Sequence, residues 1–491
     1  MKWKNLTFRI TSLMLILFCG VALYNCASQG QREHIVVVST NDIHAAFEKM
    51  PQLVTLVNNL REEYDNVLVF DAGDRTTGNP YVDKATRRGE PLYELMNMVD
   101  YDYGVLGNHE FDYGQEGLLS CLELFEAEIV CANTDFEQAQ VPIKERVKPY
   151  RIFEVGGVRA AILGLIQIDD LGIPSSMPSN MEGIKFSNGV ERSLEYKFLR
   201  DSAEIVIALT HLGFEDDSLM VCKNNMFDLV VGGHSHTYLP RGKVINGTLV
   251  TQTGSKLTGV GVTHIVVEDG KLISVNNQIV SLEGIEPNPE ALAYVEACKE
   301  GSPLNVTIGT LDVDLTRVGL INMCTDIIRE RSGVDIVLQN TGSIRIDGLP
   351  TGEVTAAQIY ELEPFGNHIV TQDMMLDDIK TMILTKFNGG GGESRQIDLS
   401  ASGMIYEIIV DESGKGAEVV CYDLKGRAMN NRRLTMATSN YVSSAYIYPG
   451  QGQATPLDEG EVVIADAVID VFERGDTYVG DNDPRVFIKE R

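Results

Sequence analysis

The chain has 491 residues, more than one hydrophobic core ordinarily serves, so two domains are expected. Hydrophobic residues make up 44% and charged residues 23%, the balance of a globular protein and not of a disordered or fibrous one. A total of 41 Lys and Arg against 70 Asp and Glu gives a formal charge of −29, which excludes a nucleic-acid or anionic-membrane surface, because both need a basic face to displace counterions.

In chain order, Lys2, Lys4 and Arg9 form a basic start and residues 13–23 an apolar run too short to span a bilayer, so residues 1–25 read as a signal peptide. Cys26 follows, with Leu23 three residues before it, which resembles the lipobox of bacterial lipoproteins. A lipid anchor on Cys26 is therefore expected, making the protein a periplasmic or surface lipoprotein; the alternative is a soluble periplasmic or secreted protein. Of the eight cysteines, Cys19 lies in the leader, and the six after Cys26 show no C-x-x-C spacing, so buried thiols are expected, with one pair, such as Cys121 and Cys131, open to bridging in an oxidising compartment.

From residue 34 to 282, short apolar runs at 35–38, 67–70, 160–165, 205–209 and 229–231 read as buried strands, and 53–64 and 116–127 as helices with apolar spacings of three and four. Such alternation predicts a layered α/β domain. Residues 283–304, Pro- and Glu-rich and then briefly helical at 291–298, read as linker and hinge. A second α/β domain at 305–491 opens with a helix at 319–329, a strand at 335–339 and a helix at 376–384, while 388–392 reads as a flexible turn.

Five of the eight histidines lie in short polar clusters just after these apolar runs. The first cluster holds Asp42 and His44, which two-residue alternation on a strand would turn to one side. The next is Asp71-Ala72-Gly73-Asp74, where Gly73 permits a sharp turn that aims Asp74 at the crevice where α/β sheets bind ligands. Gly107-Asn108-His109-Glu110-Phe111-Asp112 places a neutral oxygen donor beside an imidazole. His211 ends its run, and Gly232-Gly233-His234-Ser235-His236 sets two histidines two apart after two glycines, which packing alone does not explain. Two Asp, one Asn and four His are the inventory of a two-metal site.

The ordered series D-x-H, GD, GNHE, strand-terminal His and GHxH resembles the calcineurin-like metallophosphoesterases. With GNHEFD and Gln252-Thr253-Gly254 after GHSH, the chain is similar to the 5′-nucleotidase family, bacterial UDP-sugar hydrolase type. The resemblance implies a four-layer αββα metal-binding domain followed by an α/β nucleotide-binding domain. It assigns Asp42, His44 and His236 to one metal and Asn108, His211 and His234 to a second, with Asp74 bridging. It makes His109, held by Asp112, the residue that stabilises the transferred phosphoryl group or protonates the leaving oxygen. Ala45 stands where the family usually has glycine.

In the second half, the stretch from Leu338 to Arg345 resembles the family's N-G-G-G-I-R, and Pro364-Phe365-Gly366-Asn367 its P-F-G-N. The resemblance implies that Asn340, Arg345 and Arg317 contact base and phosphate and that Phe365 stacks on the base. The family's Gly-Gly-Asp-Gly loop is replaced by the stretch from Tyr446 to Gly452, where Tyr446 or Tyr448 is the expected second aromatic; Tyr448 is the assigned one. The implied activity is removal of phosphate from nucleoside 5′-monophosphates, with nucleotide sugars and 2′,3′-cyclic nucleotides as further substrates and two divalent ions (Zn, Mn, Co or Fe) as cofactors. The alternatives are a dinuclear phosphoesterase of non-nucleotide substrates and a non-catalytic nucleotide-binding surface lipoprotein.

Overall fold

The computed structural model describes residues 32–300, 302–389, 396–446, 448, 455–475 and 477–491. The leader, Cys26, residues 390–392 of the expected turn, and residues 447 and 449–452 beyond Tyr446 lie outside them.

The valine-rich run after Arg32 is buried on both faces, as strands of a layered α/β body are. Val36 and Val38 face helices and share a core with Leu53, Val57 and Leu92, while Ile35 and Val37 face a second sheet. That first sheet has seven strands in the order Lys271–Val280, Val260–Glu268, Arg32–Thr40, Val67–Asp71, Tyr103–Val105, Glu128–Val130 and Val147–Lys148. The second has six, in the order Lys243–Ile245, Thr248–Thr251, Leu229–Val231, Ile205–His211, Val158–Ile166 and Tyr150–Val155. Phe70, Val105, Ile162, Ile207 and Leu229 fill the space between them. Helices Met50–Glu63, Glu90–Val99 and Gly114–Leu124 cover the outer face of one sheet and Phe214–Lys223 that of the other, giving the four-layer αββα order.

Arg32–Thr40, Val67–Asp71 and Tyr103–Val105 are parallel neighbours, as are Ile205–His211 and Leu229–Val231. Their carboxyl ends therefore share one edge of the sandwich, where parallel sheets form ligand crevices.

The second body is built on a five-stranded sheet in the order Leu399–Ser402, Ile336–Asn340, Arg433–Ser439, His368–Met375 and Thr455–Val463. Helices Arg317–Ser332 and Ile464–Glu473 bury Leu320, Ile327, Val468 and Phe472 on one side, and Leu376–Gly389 buries Ile379 and Ile383 on the other. The Thr316 side chain caps the first of these helices and Gly333, at φ 65°, ends it. In the 283–304 stretch, Pro289–Lys299 is helical, and its Ala291 and Val295 belong to the first body's core. The two bodies meet through Lys256 Nζ, which donates to the Arg345 carbonyl at 3.1 Å, and through Tyr81 and Asn305, whose side chains hydrogen-bond.

A wholly buried charge cluster anchors the first body's ligand edge. Arg75 Nε lies 2.8 Å from Asp71 Oδ1 and Arg75 Nη1 lies 3.5 Å from Glu110 Oε1. Removing one partner strands the others in a low dielectric, so Arg75→Met is expected to lower unfolding stability by about 3–5 kcal/mol, read from urea denaturation. A loss below about 1 kcal/mol would contradict the pairing.

Candidate active site

The strand Arg32–Thr40 stops before Asp42, so strand alternation is not what aims Asp42 and His44. Instead the backbone turns left-handed: φ is 50° at Asp42, 45° at His44, 55° at Asp74, 79° at His234 and 51° at His236. Five of the seven expected metal donors thus hold a conformation that costs an L-residue roughly 1–2 kcal/mol, the kind of strain found where function demands a geometry. Ala45 takes φ 56° as well, which explains why glycine would be the easier residue there.

The donors converge in overlapping groups. Asp42, His44 and His236 form one, Asp74, His211 and His234 another, and His44, Asp74 and His109 join them; within each, the ligand atoms lie within 4.8 Å of one another. His236 Nε2 is 3.3 Å from Asp42 Oδ1 and 3.1 Å from His44 Nε2. His211 Nε2 is 3.1 Å from Asp74 Oδ2, and Asn108 Oδ1 is 3.3 Å from His211 Nε2 and 3.0 Å from His234 Nδ1.

The donor set suits divalent ions. His44 Nδ1 faces the Thr77 carbonyl at 3.1 Å and His211 Nδ1 the Ala72 carbonyl at 2.6 Å. Donating there leaves each Nε2 lone pair directed into the cluster, the tautomer a metal requires. Burial, together with the Arg345 charge, lowers the pKa of His44 well below its usual value, and burial beside His211 lowers that of His234 to about 4. His211 differs: burial opposes its charge, but Asp74 beside it outweighs burial and raises its pKa to about 10, so it gives up a proton when a cation takes its place against Asp74. Imidazoles and two buried carboxylates together form a cation site of borderline hardness.

His109 and Asp112 lie one turn apart, bonded Nδ1 to Oδ2 at 2.7 Å. Asp112 Oδ1 accepts the Ser176 hydroxyl at 2.7 Å, and Asn180 Nδ2 donates to the carbonyls of Phe111 and Asp112. Burial opposes a charge on His109, yet Asp112 and then Asp74 outweigh it and raise its pKa. His109 Nε2 remains turned into the cluster, 3.8 Å from Asp74 Oδ2.

The second body completes the site. Arg345 Nη2 lies 3.2 Å from His44 Nε2, and the Phe365 ring stacks on His109 at 5.6 Å and 29°. Between the bodies is a cavity of about 220 Å³ lined by residues including His109, Ser176, Asn340, Arg345, Phe365 and Tyr441. Arg317 stands outside this lining, half exposed, donating to the Thr341 carbonyl and 3.6 Å from Asp347.

The Tyr448 assignment is corrected by its surroundings. Tyr448 is buried in the second body's core, its hydroxyl 3.8 Å from Met374 Sδ, and it lines no part of the cavity. Tyr446 is buried too, bonded to Asp398, and supports the edge of Tyr441 at 6.1 Å. The second aromatic that lines the cavity with Phe365 is Tyr441, on the helix Asn440–Ala445. Sequence reading also passed over Glu110, whose carboxylate accepts the amides of Asp74, Arg75 and Gly107. The one hint in the sequence is an acid between the expected catalytic His109 and Phe111; which amides it accepts is set by the fold. The six cysteines of the described residues are free thiols, Cys121 and Cys131 included.

Comparisons with known proteins agree with the fold. Residues 35–238 match the family described as calcineurin-like phosphoesterase, and residues 305–452 match the 5′-nucleotidase C-terminal domain. A trifunctional nucleotide phosphoesterase of Bacillus subtilis is 27% identical over 74% of this chain, which spans only 28% of that protein's length. An NAD 5′-nucleotidase of Haemophilus influenzae is 24% identical, covering 90% of this chain and 89% of its own. The crystal structure of a 5′-nucleotidase precursor from Thermus thermophilus superposes with a TM-score of 0.81 at 24% identity, covering 93% of this chain and 99% of that one, and so shares the fold.

His109→Ala is expected to lower kcat by about 100- to 10,000-fold, the range for a lost general acid, while metal content by elemental analysis stays unchanged. Unaltered turnover would remove His109 from the chemistry.

Proposed function

Because the chain belongs to the 5′-nucleotidase family, joining a calcineurin-like phosphoesterase domain to a 5′-nucleotidase C-terminal domain, we propose that it hydrolyses nucleoside 5′-monophosphates to nucleoside and phosphate. Asp42, His44 and His236 would hold one divalent ion and Asn108, His211 and His234 a second, with Asp74 shared. Such ions supply Lewis acidity and positive charge at a phosphoryl group. His109, fixed through Nδ1 by Asp112, presents Nε2 to the leaving ester oxygen and can hand it a proton. Arg345 opposes the phosphate charge from the other side, and Phe365 and Tyr441 offer faces on which a base stacks.

The observation that carries this reading is the placement of Arg345 and Phe365. One body brings the donors, the other a guanidinium 3.2 Å from His44 and a ring stacked on His109, so phosphate and base contacts meet at one point. A second cavity of about 410 Å³, bordered by His44, Lys49, Lys256 and Lys299, opens from the same cluster. It favours nucleotide sugars as further substrates, because a group linked beyond the scissile phosphorus has room there, beside three lysines offset in part by Glu48 and Glu361.

In a panel of phosphate esters assayed with Mn²⁺ or Zn²⁺, nucleoside monophosphates are expected to exceed simple aryl and sugar phosphates in kcat/KM. Phe365→Ala should raise KM for AMP about tenfold through lost stacking. Equal rates across the panel would instead support a general dinuclear phosphoesterase. For location, the reading is an exported lipoprotein held through Cys26. Cys26→Ala should move the protein from the membrane to the soluble fraction of cells, and an unchanged membrane fraction counts against the anchor.

A further inference from the structure

An asparagine is an ambiguous metal ligand, because its amide carries an oxygen that attracts a cation beside an NH₂ group that repels one, and a half-turn exchanges the two. Asn108 serves the cluster only if something sorts its ends. The sorting group is the Ser175 carbonyl, which accepts Asn108 Nδ2 at 3.1 Å. A carbonyl cannot donate, so the opposite orientation would set two acceptors against each other. Asn108 Oδ1 is thereby left in the cluster, 3.0 Å from His234 Nδ1 and 3.3 Å from His211 Nε2.

That carbonyl has no helix or strand of its own to hold it, since residues 167–177 form neither. Gln167 supplies the anchor. Only 8% exposed, it spends both ends of its side chain on Ser175: Nε2 donates to Oγ at 2.6 Å, and Oε1 accepts the Ser175 amide at 3.3 Å. Gln167 directly follows the strand Val158–Ile166, and its backbone amide donates to the His211 carbonyl at 2.9 Å. One residue thus ties together two of the three donors assigned to the same ion, His211 through the main chain and Asn108 through Ser175.

We propose that Gln167 is a positioning residue for the second ion: by pinning Ser175 it keeps the Asn108 amide turned with its oxygen toward the cation and its nitrogen away. This role rests on the reading that Asn108, His211 and His234 hold one ion of a pair. Groups that orient a ligand from behind typically contribute about 10- to 100-fold in metal affinity.

The test measures metal binding by the full chain, stripped with a chelator and titrated with Mn²⁺ by calorimetry, with elemental analysis of the stoichiometry. The wild type is expected to take up two ions. Gln167→Leu, which keeps the volume but neither bond, should weaken one of them about 10- to 100-fold and leave the other within about threefold. Gln167→Glu keeps both bonds, because its carboxylate accepts the Ser175 amide and the Ser175 hydroxyl can turn to donate, so affinity should return to within about threefold of the wild type. Should Gln167→Leu fail to fold by circular dichroism, Gln167→Asn, one methylene shorter and still polar, takes its place with the same expected loss. Because Gln167 acts through Asn108, adding Gln167→Leu to Asn108→Ala should weaken binding no further. An additive loss, equal weakening of both ions, or unchanged affinities in Gln167→Leu overturn the inference alone while the wild type still binds two ions. Fewer than two ions in the wild type, or full binding of both by Asn108→Ala, removes the reading beneath it and this inference falls with it.

Discussion

The site depends on how closely two loops approach one another. A methyl group on Gly107 would lie 2.2 Å from Asp74 Oδ1 and 2.5 Å from the Asp74 backbone nitrogen. Only glycine allows this contact, and the contact alone would not hold two polar backbones together. Glu110 closes it by taking the amides of Asp74, Arg75 and Gly107 on one carboxylate. Arg75 in turn neutralises Glu110 and Asp71. With that lock in place, Asp74 Oδ1 also accepts the His109 amide at 2.9 Å, so the candidate bridging carboxylate and the dyad histidine share one rigid frame. Left-handed backbone at Asp42, His44, His234 and His236 is sustainable because this frame, and not the local chain, fixes the geometry.

The same arrangement answers an electrostatic difficulty. A chain with formal charge −29 repels anionic substrates at long range, so attraction has to be generated locally. The cluster itself is acidic through Asp42 and Asp74, and only cations accepted there can reverse its sign. Arg345 adds to that reversal from the second body, although its burial against His44 means it is held by the closed arrangement and does not reach in from solvent. Charge reversal is thus confined to the seam between the bodies, which helps explain why a strongly acidic surface is compatible with the chemistry.

Much of this was legible in the sequence, for particular reasons. Buried parallel strands write themselves as continuous apolar runs, and the polar clusters that follow mark their carboxyl ends, so a layered α/β body and the gathering of Asp42, Asp74, Asn108, His211 and His234 could be read. Resemblance supplied what spacing did not, namely the four-layer order and how Arg345 and Phe365 come back to residues roughly 300 and 250 positions earlier. Tyr448 was misjudged because aromatic residues at alternate positions near a loop look alike until the core is assembled, and the helix Asn440–Ala445 turns Tyr441, five residues before Tyr446, to the cavity instead. Glu110 and Gln167 carry no periodicity signal at all; their meaning lies in which groups they bond, and that is settled only by the fold.

The seam also constrains how catalysis can proceed. Phe365 stacked on His109 and Arg345 against His44 close the seam directly over the cluster, between the two cavities that border it. Among the described residues, the polar contacts that cross the seam are few: Lys256 to the Arg345 carbonyl, Tyr81 to Asn305, Arg345 to His44 and Ser444 to Met177 Sδ at 3.5 Å. The helix Pro289–Lys299 packs with the first body through Ala291 and Val295, so much of the stretch expected as a hinge at 283–304 belongs to that body. Weak polar contacts across a seam, next to two well-filled cores, are the physical condition under which whole bodies move and their interiors do not.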